Sequence, residues 1–141
     1  MTQRQMSDMV RHQKPLTLPP TASVKDACRK MAERRVGAVL VTQDRDLVGI
    51  FTGRDAVARV LAEGRDAAKT TLGQVMTKNP ATTTPGCNAV DCLRLMQDCG
   101  FRHVPIVGRD GVLVGVVSRG DFRGHEQDRL DEETGLWERI A

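Results

Sequence analysis

Aromatic side chains are scarce in this chain: they make up 3% of its 141 residues, and Tyr is missing altogether. Such a chain offers no platform on which successive bases of single-stranded nucleic acid can stack. Excess positive charge is also small, at +3, with a pI of about 8.9. The nearest basic cluster, Arg29, Lys30, Arg34 and Arg35, is interrupted by Glu33 and reads as the solvated face of a helix. Nucleic acid is therefore not an expected partner. No apolar run approaches the roughly 20 residues that span a bilayer, and the first ten residues are polar, without the apolar stretch of a signal peptide. The expectation is a cytoplasmic protein with no membrane partner.

Signs of chemistry are missing too. Cys28, Cys87, Cys92 and Cys99 form no CxxC pair and have no His at zinc-finger spacing. They read as buried small hydrophobes, with a thiol sensor as the less favoured alternative, and Cys92 and Cys99 lie seven residues apart on one helix face. No metal site is expected. There is no HExxH, no Walker A loop and no nucleophile–base pair, and His12, His103 and His125 lack visible catalytic partners. The expectation is a protein that is not an enzyme, with no catalytic residues and no required cofactor.

What is present is a repeat. Apolar residues at 40% suffice for a core, and charged residues at 28% keep it solvated. A shift of 65 places Pro15 on Pro80, Thr17 on Thr82, Asp26 on Asp91, Arg29 on Arg94 and Met31 on Met96. After one inserted residue the shift becomes 66, so that Val41 meets Val107, Gly49 meets Gly115, Thr52 meets Ser118 and Asp55 meets Asp121. The chain is a duplicated unit. Each copy opens with a short extended piece near a proline, at 15–18 and 80–83. An amphipathic helix follows, marked by Val24, Ala27, Cys28 and Met31 in one copy and Ala89, Cys92, Leu93 and Met96 in the other. Two strands come next, at 38–41 and 47–51, then 104–107 and 112–117, each pair joined by a turn-forming stretch. A second helix closes each copy. The order β-α-β-β-α predicts an α+β fold in which two copies, each too small to be stable alone, pack through their sheets. Residues 64–74 are the linker. After Asp121 the pattern predicts a helical tail with Phe122, Leu130, Trp137 and Ile140 loosely on one side, docking on its own dimer in preference to another protein.

The peptides Gly49-Ile50-Phe51-Thr52-Gly53-Arg54-Asp55 and Gly115-Val116-Val117-Ser118-Arg119-Gly120-Asp121 share the form Gly-apolar-apolar-Thr/Ser-x-x-Asp. With Val75-Met76-Thr77, Asn79-Pro80 and the 101–107 strand, they make the chain resemble the CBS domains, named after cystathionine β-synthase. The resemblance covers residues 9–123, with CBS repeats at 9–66 and 72–123 and the tail at 124–141. It implies a Bateman module that associates as a homodimer and binds AMP, ADP, ATP, NAD(H) or S-adenosylmethionine in clefts between repeats. It further implies that basic residues ahead of the middle strand, here Arg102 and His103, meet the ligand phosphate.

Elementary chemistry agrees with a nucleotide. A carboxylate presents two acceptor oxygens to the adjacent hydroxyls of a ribose, a role for Asp55 and Asp121. The hydroxyls of Thr52 and Ser118, with the amides of the helix that starts there, favour a phosphate. Gly49 and Gly115, lacking a Cβ, would let a ligand approach the backbone. Thr17 and Thr82 could bond the adenine edge or ribose, or be ordinary strand threonines. Arg54 and Arg119 are surface charges or phosphate partners. Against all of this stands a plainer reading, in which Ser/Thr-x-x-Asp is a helix cap whose hydroxyl and carboxylate satisfy free amides. Copy one lacks the basic pair, reading Arg35-Val36-Gly37-Ala38 there, so the two clefts of the chain are expected to be unequal. Three functions follow in order: an adenine-nucleotide sensor acting on an unknown protein in trans, a structural dimerisation module with degenerate clefts, and an enzyme.

Overall fold

The duplicated apolar spacing becomes two helices of the same length and the same boundaries in each copy: α2 (Val24–Arg34) and α5 (Ala89–Cys99). The computed structural model describes residues 4–11 and 13–122. The expected tail at 124–141, with Leu130, Trp137 and Ile140, lies outside the described residues, as do His12 and His125. In front of α2 and α5, Ser23 Oγ accepts from the amide of Asp26 at 3.1 Å and Asn88 Oδ1 from that of Asp91 at 2.9 Å, capping each first turn. Asp26 pairs with Arg29, and Asp91 with Arg94, both at 3.0 Å; the coincidence of these residues under the 65-residue shift is an ion pair made twice. Both helices end in a left-handed residue, Arg35 (φ 54°) and Gly100 (φ 72°). Beyond it the amides of Val36 and Phe101 donate back to the carbonyls of Met31 and Met96, at 3.1 and 2.9 Å.

The chain divides into two compact units, and they cut it differently from its repeats. One unit holds residues 14–81 and 110–113. Its sheet has the order β1 (Thr17–Leu18), β2 (Ala38–Gln43), β3 (Asp46–Thr52), β4 (Thr77–Lys78), with β1 parallel to β2 and the other pairs antiparallel. The β2–β3 turn uses Asp44 and Arg45, both at positive φ, the backbone of a two-residue hairpin. Val24, Ala27 and Met31 of α2 close over Val39, Val41 and Phe51 of the sheet. The helix after β3 starts as α3 (Gly53–Asp55) and widens into a π-helical turn at Ala56–Leu61, where Ala62 N donates to Val57 O and Arg65 N to Val60 O. Val60 is buried in the same core. A short helix α4 (Leu72–Val75) precedes β4 and adds Leu72 and Val75.

The other unit holds α5, β5 (His103–Val107), β6 (Leu113–Ser118) from Val114 onward, and the short helix α1 (Met6–Met9) at the start of the chain. Met6 is fully buried among Ala89, Cys92, Met96, Val104, Ile106 and Val117. Backbone bonds from Met6 N to Cys87 O (2.8 Å) and from Ala89 N to Arg4 O (2.8 Å) hold the opening segment in place. The segment that precedes the first repeat is thus built into the core of the second, while α4 and β4, which open the second, belong with the first.

Three expectations change. Leu18 opposes Val41 and Thr83 opposes Ile106, so the 65-residue shift persists through this strand and Val41 corresponds to Ile106, not to Val107. The inserted residue lies beyond it, in the hairpin. The helix expected to continue from Ser118 is, among the described residues, a single 3-10 turn at Arg119–Asp121, after which Phe122 is extended; Gly120 at its centre opposes propagation. Of the cysteines only Cys92 is buried, and Cys99 is exposed at the last residue of α5, beyond the part of that helix that meets the core. Burial pushes the Cys92 thiol up to about 12, Cys87 nearby adding to the effect.

Candidate functional site

Each Ser/Thr-x-x-Asp peptide sits where a strand ends against the start of its hairpin partner. Gly53 N donates to Gly37 O at 3.2 Å, and Arg119 N to Arg102 O at 3.0 Å, the same bond in both copies. These two bonds make Gly37-Ala38 of copy one the counterparts of Arg102-His103, and the missing basic pair is located to those two positions.

In the first copy the aspartate is a cap. Asp55 Oδ2 accepts from Thr52 N at 2.9 Å and from Thr52 Oγ1 at 3.1 Å, while Thr52 Oγ1 accepts from Asp55 N at 3.3 Å. Arg59, one turn further on, brings its Nε to 3.6 Å from Asp55 Oδ1, and that carboxylate is only 14% exposed. The Arg59 Nη1 also donates to the carbonyls of Val75 and Met76, at 3.2 Å each. Arg59 thus ties Asp55 to the segment ahead of β4. Sequence reading passed over it, although Asp and Arg four residues apart on a helix are an ion-pair signal.

In the second copy Asp121 Oδ2 accepts from Ser118 N at 2.7 Å. Among the described residues that is the one bond of the carboxylate, and the residue is exposed. Arg4, brought in by the opening segment, donates from Nη2 to the Asp121 carbonyl at 3.1 Å. Nothing in the sequence pattern marks Arg4. His103 is half-buried at the start of β5; burial holds its imidazole below the ordinary value of 6.5, attraction to Asp121 opposes that, and Arg102 reinforces it. The exposed Arg102 directly precedes it in the chain, and the Arg4 bond to Asp121 with the action of Asp121 and Arg102 on His103 makes these four residues one group inside this unit. The expectation that a helix N-terminus would add a phosphate site here is corrected, because the described helix is only the three-residue turn.

The two glycines serve the chain rather than a ligand. A Cβ on Gly49 would collide with the Met76 sulfur and lie 3.0 Å from the Thr77 carbonyl oxygen. One on Gly115 would lie 2.6 Å from Gln13 Oε1 and 2.8 Å from Val10 Cβ. Gln13 clasps the neighbouring residue with its whole amide, its Nε2 donating to Val116 O at 2.7 Å and its Oε1 accepting from Val116 N at 2.6 Å. The expected ligand approach at Gly49 and Gly115 is therefore corrected: protein atoms occupy the space left by each missing Cβ. Thr17 and Thr82 are exposed, as are Arg54 and Arg119. No group of three or more His, Cys, Asp or Glu is placed to hold a metal among the described residues, and no helix among them is long and apolar enough to cross a membrane.

Comparison with known proteins bears directly on this paired geometry. The CBS domain model matches residues 6–62 and 72–127. The CBS domain-containing protein CBSCBSPB3 of Arabidopsis thaliana is 42% identical over 105 residues, which are 74% of this chain and 19% of that protein; the chain spans about a fifth of the length of such relatives. The CBS domain protein PAE2072 from Pyrobaculum aerophilum, solved in complex with AMP, superposes with a TM-score of 0.81 at 25% identity, over 91% of this chain and 98% of that one. CBSX2 in complex with AMP gives 0.69 at 26% identity, over 84% and 92%. The mixed α+β fold, the twofold repeat and both motif peptides lead to one conclusion: the chain belongs to the CBS domain family, as a tandem pair.

Proposed function

We propose that this CBS pair is a regulatory module that binds an adenine nucleotide (AMP, ADP, ATP or NAD(H)) and signals to a protein partner in trans as a homodimer. The observation that carries the reading is the group around Asp121. One carboxylate oxygen accepts no bond among the described residues and is left for a sugar hydroxyl, in a group where the exposed Arg102 guanidinium is suited to a phosphate. The AMP complexes of two structural neighbours support the adenylate class. Val57 and Leu61, 60% and 70% exposed one turn apart on the helix after β3, give a second copy an apolar strip to cover.

Isothermal calorimetry with AMP, ATP, NADH and S-adenosylmethionine tests the reading. Saturable heat with at least one adenylate or dinucleotide is expected, and silence with all four would sink it. A second reading, a structural dimerisation module, draws on the first copy, where Asp55 is already engaged by Thr52 and Arg59. Saturation by S-adenosylmethionine alone would keep the sensor but change its ligand.

A further inference from the structure

The two long helices can be compared at their first turns, away from the Ser/Thr-x-x-Asp peptides. Their N-caps are Ser23 and Asn88. The residue before the cap and the fourth residue after it are Ala22 and Ala27 in the first copy, Cys87 and Cys92 in the second. Side chains at these two positions meet across the first helical turn, the arrangement called a hydrophobic staple. Each pair packs in its own core, with Ala27 and Cys92 buried and Ala22 and Cys87 at the margin. In the first copy two methyl groups close this turn. The second copy carries a thiol on both of them.

The backbone brings the two cysteines to one point. Cys87 Sγ donates to the Asn88 carbonyl oxygen at 3.6 Å, and the Cys92 amide donates to the same oxygen at 3.2 Å. Cys87 is itself fixed, its amide donating to Thr84 O at 3.1 Å and its carbonyl accepting from Met6 N at 2.8 Å. It is half-buried, whereas Cys92 is 1% exposed. Burial and the neighbouring Cys87 also keep the Cys92 thiol protonated, which leaves Cys87 as the thiol that a dissolved oxidant meets first.

We infer that Cys87 and Cys92 are a site of oxidative modification, at which hydrogen peroxide turns the staple into an intramolecular disulfide. The Cys87 thiol gives up its proton and its sulfur attacks one peroxide oxygen. The O–O bond breaks, leaving a sulfenic acid on Cys87, and the departing hydroxide takes that proton as water. The Cys92 sulfur then attacks the Cys87 sulfur. The S–S bond forms as the S–O bond breaks, and the second hydroxide leaves with the Cys92 proton, again as water. Two thiols and one peroxide thus become one disulfide and two waters. The bond fastens the first turn of α5 to the residue that anchors the opening segment, and that segment carries Arg4.

The test exposes the full chain to hydrogen peroxide at a level that oxidises glutathione in the same buffer, alkylates the remaining thiols and weighs the tryptic peptides. Cleavage after Lys78 and Arg94 puts both cysteines on one peptide, 79–94, apart from Cys28 and Cys99. That peptide is expected to be unalkylated and two hydrogens lighter, and to become doubly alkylated when a reductant precedes the alkylation. Cys92→Ala, which installs the first copy's residue, should instead let Cys87 run on to the sulfinic acid, which the reductant does not reverse. Full alkylation of 79–94 after peroxide, a sulfinic acid on Cys87 of the unaltered chain, or a disulfide from Cys87 to Cys99 would each overturn the inference. The unaltered chain alone decides among these, whether or not Cys92→Ala folds.

Discussion

His103 shows how one side chain couples stability to pH. Its folded value lies below the ordinary 6.5 because burial penalises the imidazolium. The unfolded chain therefore takes up the proton first as the solution is acidified. The sign follows: the contribution of neutral His103 is complete above pH 6.5 and is lost as the pH falls through 6.5 toward the lower folded value. Thermal melts on either side of 6.5 should show an acid-side loss that is smaller in His103→Gln; equal losses in both proteins would contradict this account. The groups that act on the ring are Asp121, which favours the proton, and Arg102, which opposes it. At this scale the sequence was legible in part. The aspartates, the basic pair and the twin hydroxyls stood out because their residue types and spacing carry chemistry. Arg59, Arg4 and Met76 did not, since each acts through a contact that spacing alone does not specify.

At the scale of elements, the two copies serve as internal controls for each other. Their helices α2 and α5 end in the same left-handed position, occupied by Arg35 in one and Gly100 in the other. A side chain there costs about 1–2 kcal/mol, offset in part by the flexibility that glycine adds to the unfolded chain. Arg35→Gly should therefore stabilise the protein by about 0.5–1 kcal/mol and Gly100→Arg destabilise it by a similar amount, read as opposite shifts of the urea midpoint. Same-sign shifts would refute the equivalence. Periodicity found both helices through their apolar positions, because α2 and α5 each bury one face. Hairpin positions were legible from their turn residues. The point of insertion was not, because an apolar run of valines and isoleucines aligns almost equally well at shifts of 65 and 66, and only pairing with Leu18 and Thr83 decides.

Across the whole molecule, the family was readable from the doubled motif, while the allocation of segments to cores was not. The opening ten residues are short and polar, and nothing in them announces that Met6 is fully buried beside α5. Met6→Ala should cost about 2–5 kcal/mol, as for other buried methionines. Hydrogen exchange should place the loss at α5 and β6 first, because those elements share its core; uniform loss of protection, or none, would disprove the placement. The same segment delivers Arg4 to the Asp121 turn, so Met6→Ala should also disturb the group proposed to bind the nucleotide.

The backbone passes from one unit to the other at 13/14, 81/82, 109/110 and 113/114. A gene fragment cut at the boundary between the repeats would encode neither unit whole: one half would lack the strand that Gly49 makes room for, and the other would lack its buried methionine. Recombination can thus move this pair about as a single cassette, but it cannot trade one half for a foreign half without also rewriting the lead-in of its neighbour.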